Sequence, residues 1–356
     1  MGNNGCRECG ATRAPNPTML GDLRIAVIIP AYQASATIGA VIRDIPEFVD
    51  EIIVVDDGSL DDTRQAALEA GDPRLTCLRR DRNGGVGAAM VTGFTHALGT
   101  EADICVKMDA DGQMDPERLK ELLRPITEQG FDYTKGNRFY DLLALSRMPL
   151  PRRLGNVALS FMTKAASGYW NVYDPQNGYI AIRSETLARL DLNELDRGYF
   201  LENSMLVQLN VLNARVAEVP IAAVYGNGRS AMSLPRVMHV FPFKLLRAWL
   251  WRIRLKYFGM DFSPIAILLV LGALLLLGGS AYGSYEWIRH VIARAPTPAG
   301  AVMLAALPVL VGVQLLLTAL ILEIQQTPSG LGIHKIATRS SSEGRQAPEA
   351  DTKSER

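Results

Sequence analysis

Short β-branched runs alternate with amphipathic stretches from Arg24 onward. IAVIIPAY (Ile25 to Tyr32), EIIVVDD (Glu51 to Asp57), LTCLRR (Leu75 to Arg80) and ICVKMDAD (Ile104 to Asp111) predict strands, three of them apolar enough to be buried on both faces. Between them, TIGAVIRDI, TRQAALEAG and GVGAAMVTGFTHALG carry apolar residues near helical spacing. That alternation predicts an α/β domain: a mostly parallel sheet with helices on its faces. Such sheets bind ligands beyond the carboxyl ends of their strands, so the polar residues that end these strands are the ones to examine.

The pattern changes after Met260. Phe262 to Tyr285 is a charge-free run of 24 residues and Ala295 to Leu322 one of 28. A helix needs about 20 apolar residues to cross ~30 Å of hydrocarbon, which predicts two spans, at about 262–283 and 299–322. Pro308 and Gln314 in the second are tolerable where a packed neighbour satisfies the backbone. The chain therefore divides into a flexible start (1–23), a globular domain (24–235), a juxtamembrane helix (236–260), the two spans (261–324) and a disordered tail (325–356).

Charge sharpens this division. Lys plus Arg equals Asp plus Glu at 37 each, which argues against a globally basic nucleic-acid binder. Between Val219 and Met260, however, there is no acid, against Arg229, Arg236, Lys244, Arg247, Arg252, Arg254 and Lys256. With Phe241, Phe243, Trp249, Trp251, Tyr257 and Phe258 interleaved, the block reads as a helix on a membrane surface, its cations meeting anionic lipid. A solvated helix face is the plainer alternative. The cluster outweighs Arg289 and Arg294 in the connecting loop, so the expected topology is multi-pass in the plasma (inner) membrane, with the globular domain and both termini cytoplasmic. No apolar signal segment is visible in the first 24 residues. Cys6 and Cys9 lack the second ligand pair of a structural zinc site, and Cys105 reads as a core residue.

Candidate chemistry gathers at three strand ends. Pro30 and Tyr32 close the first, Asp56 and Asp57 the second, and Asp109, Asp111 and Gln113 the fourth. Carboxylates at i and i+2 after a buried strand repel unless a cation sits between them, and Mg²⁺ or Mn²⁺ favours a few carboxylates plus phosphate oxygens. Helix capping competes with this reading, and for Asp61 and Asp115 capping is preferred. The glycine run Asn83 to Gly87 lacks the Lys-Ser/Thr of a P-loop; its glycines serve close approach of a helix to the sheet or a ligand.

In order, IIPAY, VVDDGSLDDT, NGGVGAA, DADGQMDP and GNRF resemble the family 2 inverting glycosyltransferases, specifically the polyprenyl-phosphate branch that includes dolichol-phosphate mannose synthases and undecaprenyl-phosphate glucosyltransferases. The resemblance runs from about Ile25 to Met232 and extends to the two spans. It implies a GT-A fold and transfer of a sugar from a UDP- or GDP-sugar to a polyprenyl phosphate. It also implies that Pro30 and Tyr32 wall the base, that Asp56 and Asp57 contact base or ribose, and that Ala110 and Gln113 lie beside the donor. Asp109 and Asp111 would hold Mg²⁺ or Mn²⁺, with Arg138, and Arg152 or Arg153, facing phosphates. Asp174, Gln176 and Asn177 would line the acceptor side, and Arg229, Ser230 and Met232 a basic loop over the diphosphate. For Arg152 and Arg153 an ordinary surface charge at a helix start is the alternative.

Three departures stand out: Gln33-Ala34 replaces a common Asn-Glu, Arg229 replaces a common lysine, and Glu202-Asn203 stands where many relatives carry the Glu-Asp pair that supplies a general base. Glu202 is accordingly expected to be structural or to bind acceptor. The expected partners are the nucleotide-sugar, the lipid phosphate and the bilayer. Self-association is left open and no nucleic acid is expected. A transferase acting on a hydroxyl of a lipid-linked glycan, and an inactive nucleotide-sugar-binding tether, are the rival readings.

Overall fold

A computed structural model describes residues 23–138, 150–221, 234–260 and 263–328. Seven strands form one sheet: β1 (Ile25–Ala31), β2 (Glu51–Asp56), β3 (Leu75–Arg79), β4 (Ile104–Lys107), β5 (Tyr133–Asn137), β6 (Ile180–Arg183) and β7 (Val216–Pro220), in the order β3-β2-β1-β4-β6-β5-β7. All pairings are parallel except those of β6 with β4 and β5. The four strands expected from the β-branched runs are present, but β4 stops at Lys107, so Asp109 and Asp111 stand on the turn beyond it.

Period-two alternation explains why the central strands are apolar throughout. Ile25, Val27 and Ile29 pack on one face with Ile38 and Leu122, while Ala26 and Ile28 pack on the other with Phe94 and Met205. The first layer includes α1 (Ile38–Arg43), α2 (Thr63–Glu69) and α4 (Leu119–Gln129); the second includes α3 (Val86–Ala97), α6 (Ser184–Leu187) and α7 (Leu201–Val211). Asp115 accepts from the Glu117 amide at 2.9 Å at the entrance to the turn before α4, the capping role expected of it.

Helix α5 (Leu150–Ser167) packs against α7 and α8 (Leu234–Ile253), and a π-helical turn, Arg254–Met260, leads to the apolar hairpin of α9 (Pro264–Ala293) and α10 (Ala299–Gln325). Both hairpin helices are long and apolar enough to cross a membrane. Leu274, Leu277, Leu304 and Leu310 face outward, the reverse of a soluble core helix. The two backbones meet at glycines: a Cβ on Gly312 would lie 2.7 Å from the Leu276 nitrogen and 2.8 Å from the Gly272 carbonyl. The first helix continues past the expected end of its span near 283 as far as Ala293, and in that extension Glu286 is buried and accepts from Arg289 at 3.3 Å.

The basic block needs a correction. Arg247 and Arg254 are exposed beside Phe243, Leu246 and Leu250. Arg252 is instead fully buried, Lys244 pairs with Asp196, and Lys256 donates to Asn210 Oδ1 at 2.8 Å. A run without acids has no intrahelical partner for its cations, and here Arg252 and Lys256 find partners on other helices and Lys244 one in the connection before α7.

Candidate active site

The crevice beside β1, where successive connections leave in opposite directions to β2 and β4, is the topological switch point of the sheet. Because β6 is antiparallel, the segment before it, 172–179, meets the carboxyl ends of β4 and β5. Sheet order thus gathers Pro30 and Tyr32, Asp56 and Asp57, Asp109 to Gln113, Arg138, and Asp174 to Asn177 along one edge. The Thr37 hydroxyl fastens the first of these loops to the third, donating to the Ala110 carbonyl at 2.6 Å.

Each carboxylate there has a distinct environment. Asp57 is buried and accepts from Arg80, from Gly84 N at 3.1 Å and from Gly85 N at 2.8 Å, so it anchors the glycine loop before α3. A Cβ on Gly85 would lie 2.7 Å from the Arg197 carbonyl, so the close approach at this glycine is to the connection before α7 rather than to the sheet. Asp56 accepts from the Ser59 amide at 2.9 Å and shapes the same edge. Tyr32, at the end of β1, is exposed.

At the end of β4, Lys107 Nζ lies 2.8 Å from Asp109 Oδ1 and 3.2 Å from Glu202 Oε1. Burial opposes a charged lysine there, but Asp109 and Glu202 outweigh it and hold the ammonium above the ordinary lysine range. Asp109 remains one-third exposed, with a side-chain exposure of 34%, whereas Glu202 is buried. Asp111 stands at the rim. Lost hydration pushes its carboxyl up, the Gln113 amide at 3.0 Å draws it down, and the charge on Asp109 pushes it up again. A half-hydrated carboxylate beside a second one fits a divalent cation, and two carboxylates suffice where phosphate oxygens complete the shell. No group of three or more metal-binding side chains occurs among the described residues.

On the facing side, Asp174 is fully buried and grips Arg138 through two parallel bonds, Nε to Oδ2 at 2.8 Å and Nη2 to Oδ1 at 3.0 Å. Glu218 of β7 accepts the Tyr173 and Asp174 amides at 2.8 and 2.7 Å and Asn137 Nδ2 at 2.9 Å. Beneath them Lys135 donates to the Pro175 carbonyl at 2.8 Å, and burial draws its pKa down to about 8 against the pull of Asp174 and Glu218. Gln176 pairs with Asn203 at 3.2 Å, and Asn177 Oδ1 accepts the Tyr179 amide at 3.0 Å. Arg152 and Arg153 lie on the first turns of α5, with side chains outside the described residues, as are Arg229, Ser230 and Met232. Lys107, Lys135 and Glu218 were not anticipated. Lys107 had a readable signal, since a lysine inside an apolar strand two residues before Asp109 must share its face.

Residues 26–190 match the family described as Glycosyl transferase family 2. Over 221 residues the chain is 31% identical to a UDP-N-acetylglucosamine–dolichyl-phosphate N-acetylglucosaminyltransferase of Methanococcus voltae, across 58% of this chain and 88% of that one. Over 219 residues it is 33% identical to an undecaprenyl-phosphate mannosyltransferase of Micrococcus luteus, across 59% and 88% of the two chains. A crystal structure described as that of a mycobacterial protein superimposes with a TM-score of 0.50 at 25% identity, covering 65% of this chain and 75% of the other.

Proposed function

The chain belongs to glycosyl transferase family 2, and from that premise we propose that it transfers a sugar from a nucleotide-diphosphate sugar to the phosphate of a polyprenyl lipid at a membrane. Relatives named for dolichyl and undecaprenyl phosphate support this class of acceptor. The carrying observation is the state of Glu202. Its carboxylate is buried and held by Lys107, and its neighbour Asn203 is an amide paired with Gln176. A hydroxyl acceptor needs a carboxylate to take its proton, and these two residues offer none that is unengaged. A phosphate monoester with a second pKa near ~6 is already an anion at neutral pH and attacks without that help.

In this reading Tyr32 and Pro30 wall the base, and Asp109 and Asp111 hold Mg²⁺ or Mn²⁺, which when bound supplies positive charge to the leaving diphosphate. Lys107 fixes the Asp109 carboxylate toward the crevice. Asp174 fixes the Arg138 fork at its mouth, where phosphate oxygens of donor and acceptor meet. The apolar hairpin spans the bilayer, the domain faces the cytoplasm, and Phe243, Leu246 and Leu250 lie against the headgroups. The test is a panel of labelled UDP- and GDP-sugars given to the full chain in membranes with undecaprenyl phosphate, scoring label that enters organic solvent. One donor should label the lipid, and Glu202→Gln should retain appreciable turnover despite some loss of stability. Label reaching only lipid-linked glycans, or a Glu202→Gln variant that folds and binds donor but has no turnover, would overturn the phosphate-acceptor reading.

A further inference from the structure

Arg252 lies far along the chain from the crevice residues, yet it is fully buried and bonded on several sides. Its Nε donates to the Ala166 carbonyl at 2.8 Å, one Nη to the Ala165 carbonyl at 3.0 Å and the other to Asn210 Oδ1 at 3.3 Å. It also pairs with Glu323, in the last turn of α10. Ala165 and Ala166 end α5, so the guanidinium meets carbonyls that have no partner inside the helix and sits at the negative end of its dipole.

The α5 terminus is shaped to receive it. Gly168 follows the helix with φ of +75°, and a Cβ there would lie 2.5 Å from an Arg252 Nη, so both backbone and space exclude a side chain. The Thr327 hydroxyl, just past α10, donates to the Gly168 carbonyl at 3.4 Å. Lys256 donates to the carbonyl of Asn210 at 3.1 Å and its Oδ1 at 2.8 Å, fastening the π-helical turn to α7. One guanidinium thus joins α5, α7, α8 and the second apolar helix. The segment it holds is the one with Arg152 and Arg153 at its start and Asp174 to Asn177 a few residues beyond its end.

We propose that Arg252, paired with Glu323, is a positioning residue that mounts the acceptor side of the crevice on the second membrane span and sets its height and tilt over the bilayer. The inference rests on the proposed reaction for its consequence. A lipid phosphate leaves the headgroup plane only as far as its chain allows, so a transferase that reaches it needs a fixed elevation, and a misplacement of about 1 Å can lower rates by ~10²-fold. An Arg–carboxylate pair with its donors satisfied is rigid, whereas removing one member leaves a buried charge behind.

The test uses the full chain in nanodiscs of phosphatidylethanolamine and phosphatidylglycerol containing undecaprenyl phosphate, comparing wild type with Arg252→Met, Arg252→Lys and Glu323→Gln. KM for undecaprenyl phosphate should rise about tenfold or more in Arg252→Met and Glu323→Gln, with donor affinity within about twofold of wild type and partial recovery in Arg252→Lys. Backbone amides of 168–172 and 326–327 should exchange hydrogen faster in the same variants. If Arg252→Met does not fold, Glu323→Gln, which keeps the side-chain volume, carries the comparison. Folded variants with wild-type acceptor KM and wild-type exchange overturn the mount, as does a loss confined to donor affinity. A wild type that labels no polyprenyl phosphate refutes the proposed reaction instead, and unchanged exchange in the variants would then refute the mount separately.

Discussion

Replacing Gly178 by alanine adds one methyl group at the centre of the crevice. The position is not in the left-handed region, so the backbone accepts alanine and only space is at issue. A Cβ there would lie 2.3 Å from Lys107 Nζ and 3.3 Å from both Asp109 Oδ2 and Glu202 Oε1. The ammonium must retreat by ~1 Å to reach ordinary contact. Lengthening its 2.8 Å pair with Asp109 and its 3.2 Å pair with Glu202 by that much weakens them by about 1.6 and about 1.2 kcal/mol at an effective dielectric of ~20. The expected loss is therefore about 3 kcal/mol, against a total stability of about 5–15 kcal/mol for a typical domain. Because Asp109 loses its tether, kcat should fall about tenfold or more even where the variant stays folded. Thermal melting and steady-state transfer read the two effects. A double-mutant cycle isolates the cause: in a Lys107→Met background, where no atom occupies the Nζ position, Gly178→Ala should add little further loss. A Gly178→Ala protein with wild-type melting and kcat would refute the reasoning. So would a methyl effect that is undiminished without Lys107.

Asp111→Asn should leave the fold intact and lower transfer by about a hundredfold or more, and a chelator should mimic it reversibly; full activity in chelator would contradict the assignment. In the apolar hairpin, Gly312→Ala should lower stability by about 1–3 kcal/mol through overpacking, read as a lower melting temperature, whereas Gly278→Ala, which meets nothing within 4 Å, should not; equal effects would argue against the close seam. Stability should rise with pH between 8 and about 9.5, since Lys135 and Lys256 release protons near 8 when folded but near 10.5 when unfolded, and the unfolded state binds more protons in that window. For Lys135 the slope reaches at most ~1.4 kcal/mol per pH unit, and Lys135→Met should remove that share while the Lys256 share remains; a melting temperature that falls over that window would reverse the sign of the argument. Cys77 and Cys105, whose thiols burial holds protonated above their ordinary 9.0, oppose the rise from about pH 9 and shallow it, but the two lysines outweigh them; the ceiling of 9.5 keeps clear of Tyr133 and Tyr169, whose buried hydroxyls ionise only far above their ordinary value and pull stability the same way as the thiols.

The parts of the fold that local periodicity controls were legible. β1, β2 and β4 are apolar at nearly every position because both faces are covered, and a run such as IAVII is tolerated only where neither face meets water. The later strands were not legible. YTKGN in β5 contains a lysine, a glycine and an asparagine, all buried, and reads as a loop until its partners are known. Lys135 is tolerated there only because the Pro175 carbonyl and the carboxylates of Asp174 and Glu218 arrive from segments about 40 and 80 residues away. The antiparallel β6 was equally hidden, since strand direction depends on long-range pairing, and it is β6 that turns the 172–179 segment toward the carboxyl edge.

The same distinction governs the charged side chains. A count of cations along Val219 to Met260 gives the sign of the surface but not the direction in which each residue points, and an acid-free helix beside a membrane resembles a lipid-facing one. What separates Arg252 from Arg254 is rotation. Two residues on an α-helix differ by about 200°, so when Arg254 faces outward Arg252 points into the protein. There, water cannot solvate it, and the guanidinium persists only if its donors are met; the two α5 carbonyls, Asn210 and Glu323 meet them. Glu323 is the matching anomaly in the sequence, an acid that immediately follows 28 uncharged residues. A carboxylate at the mouth of an apolar span needs a partner as much as a buried arginine does, and each explains the other. Lys107 and Glu202 repeat the pattern in the crevice, one inside an apolar strand and the other in the first turn of a buried helix. In this chain, unpaired charges within apolar runs mark the long-range contacts that periodicity leaves unspecified.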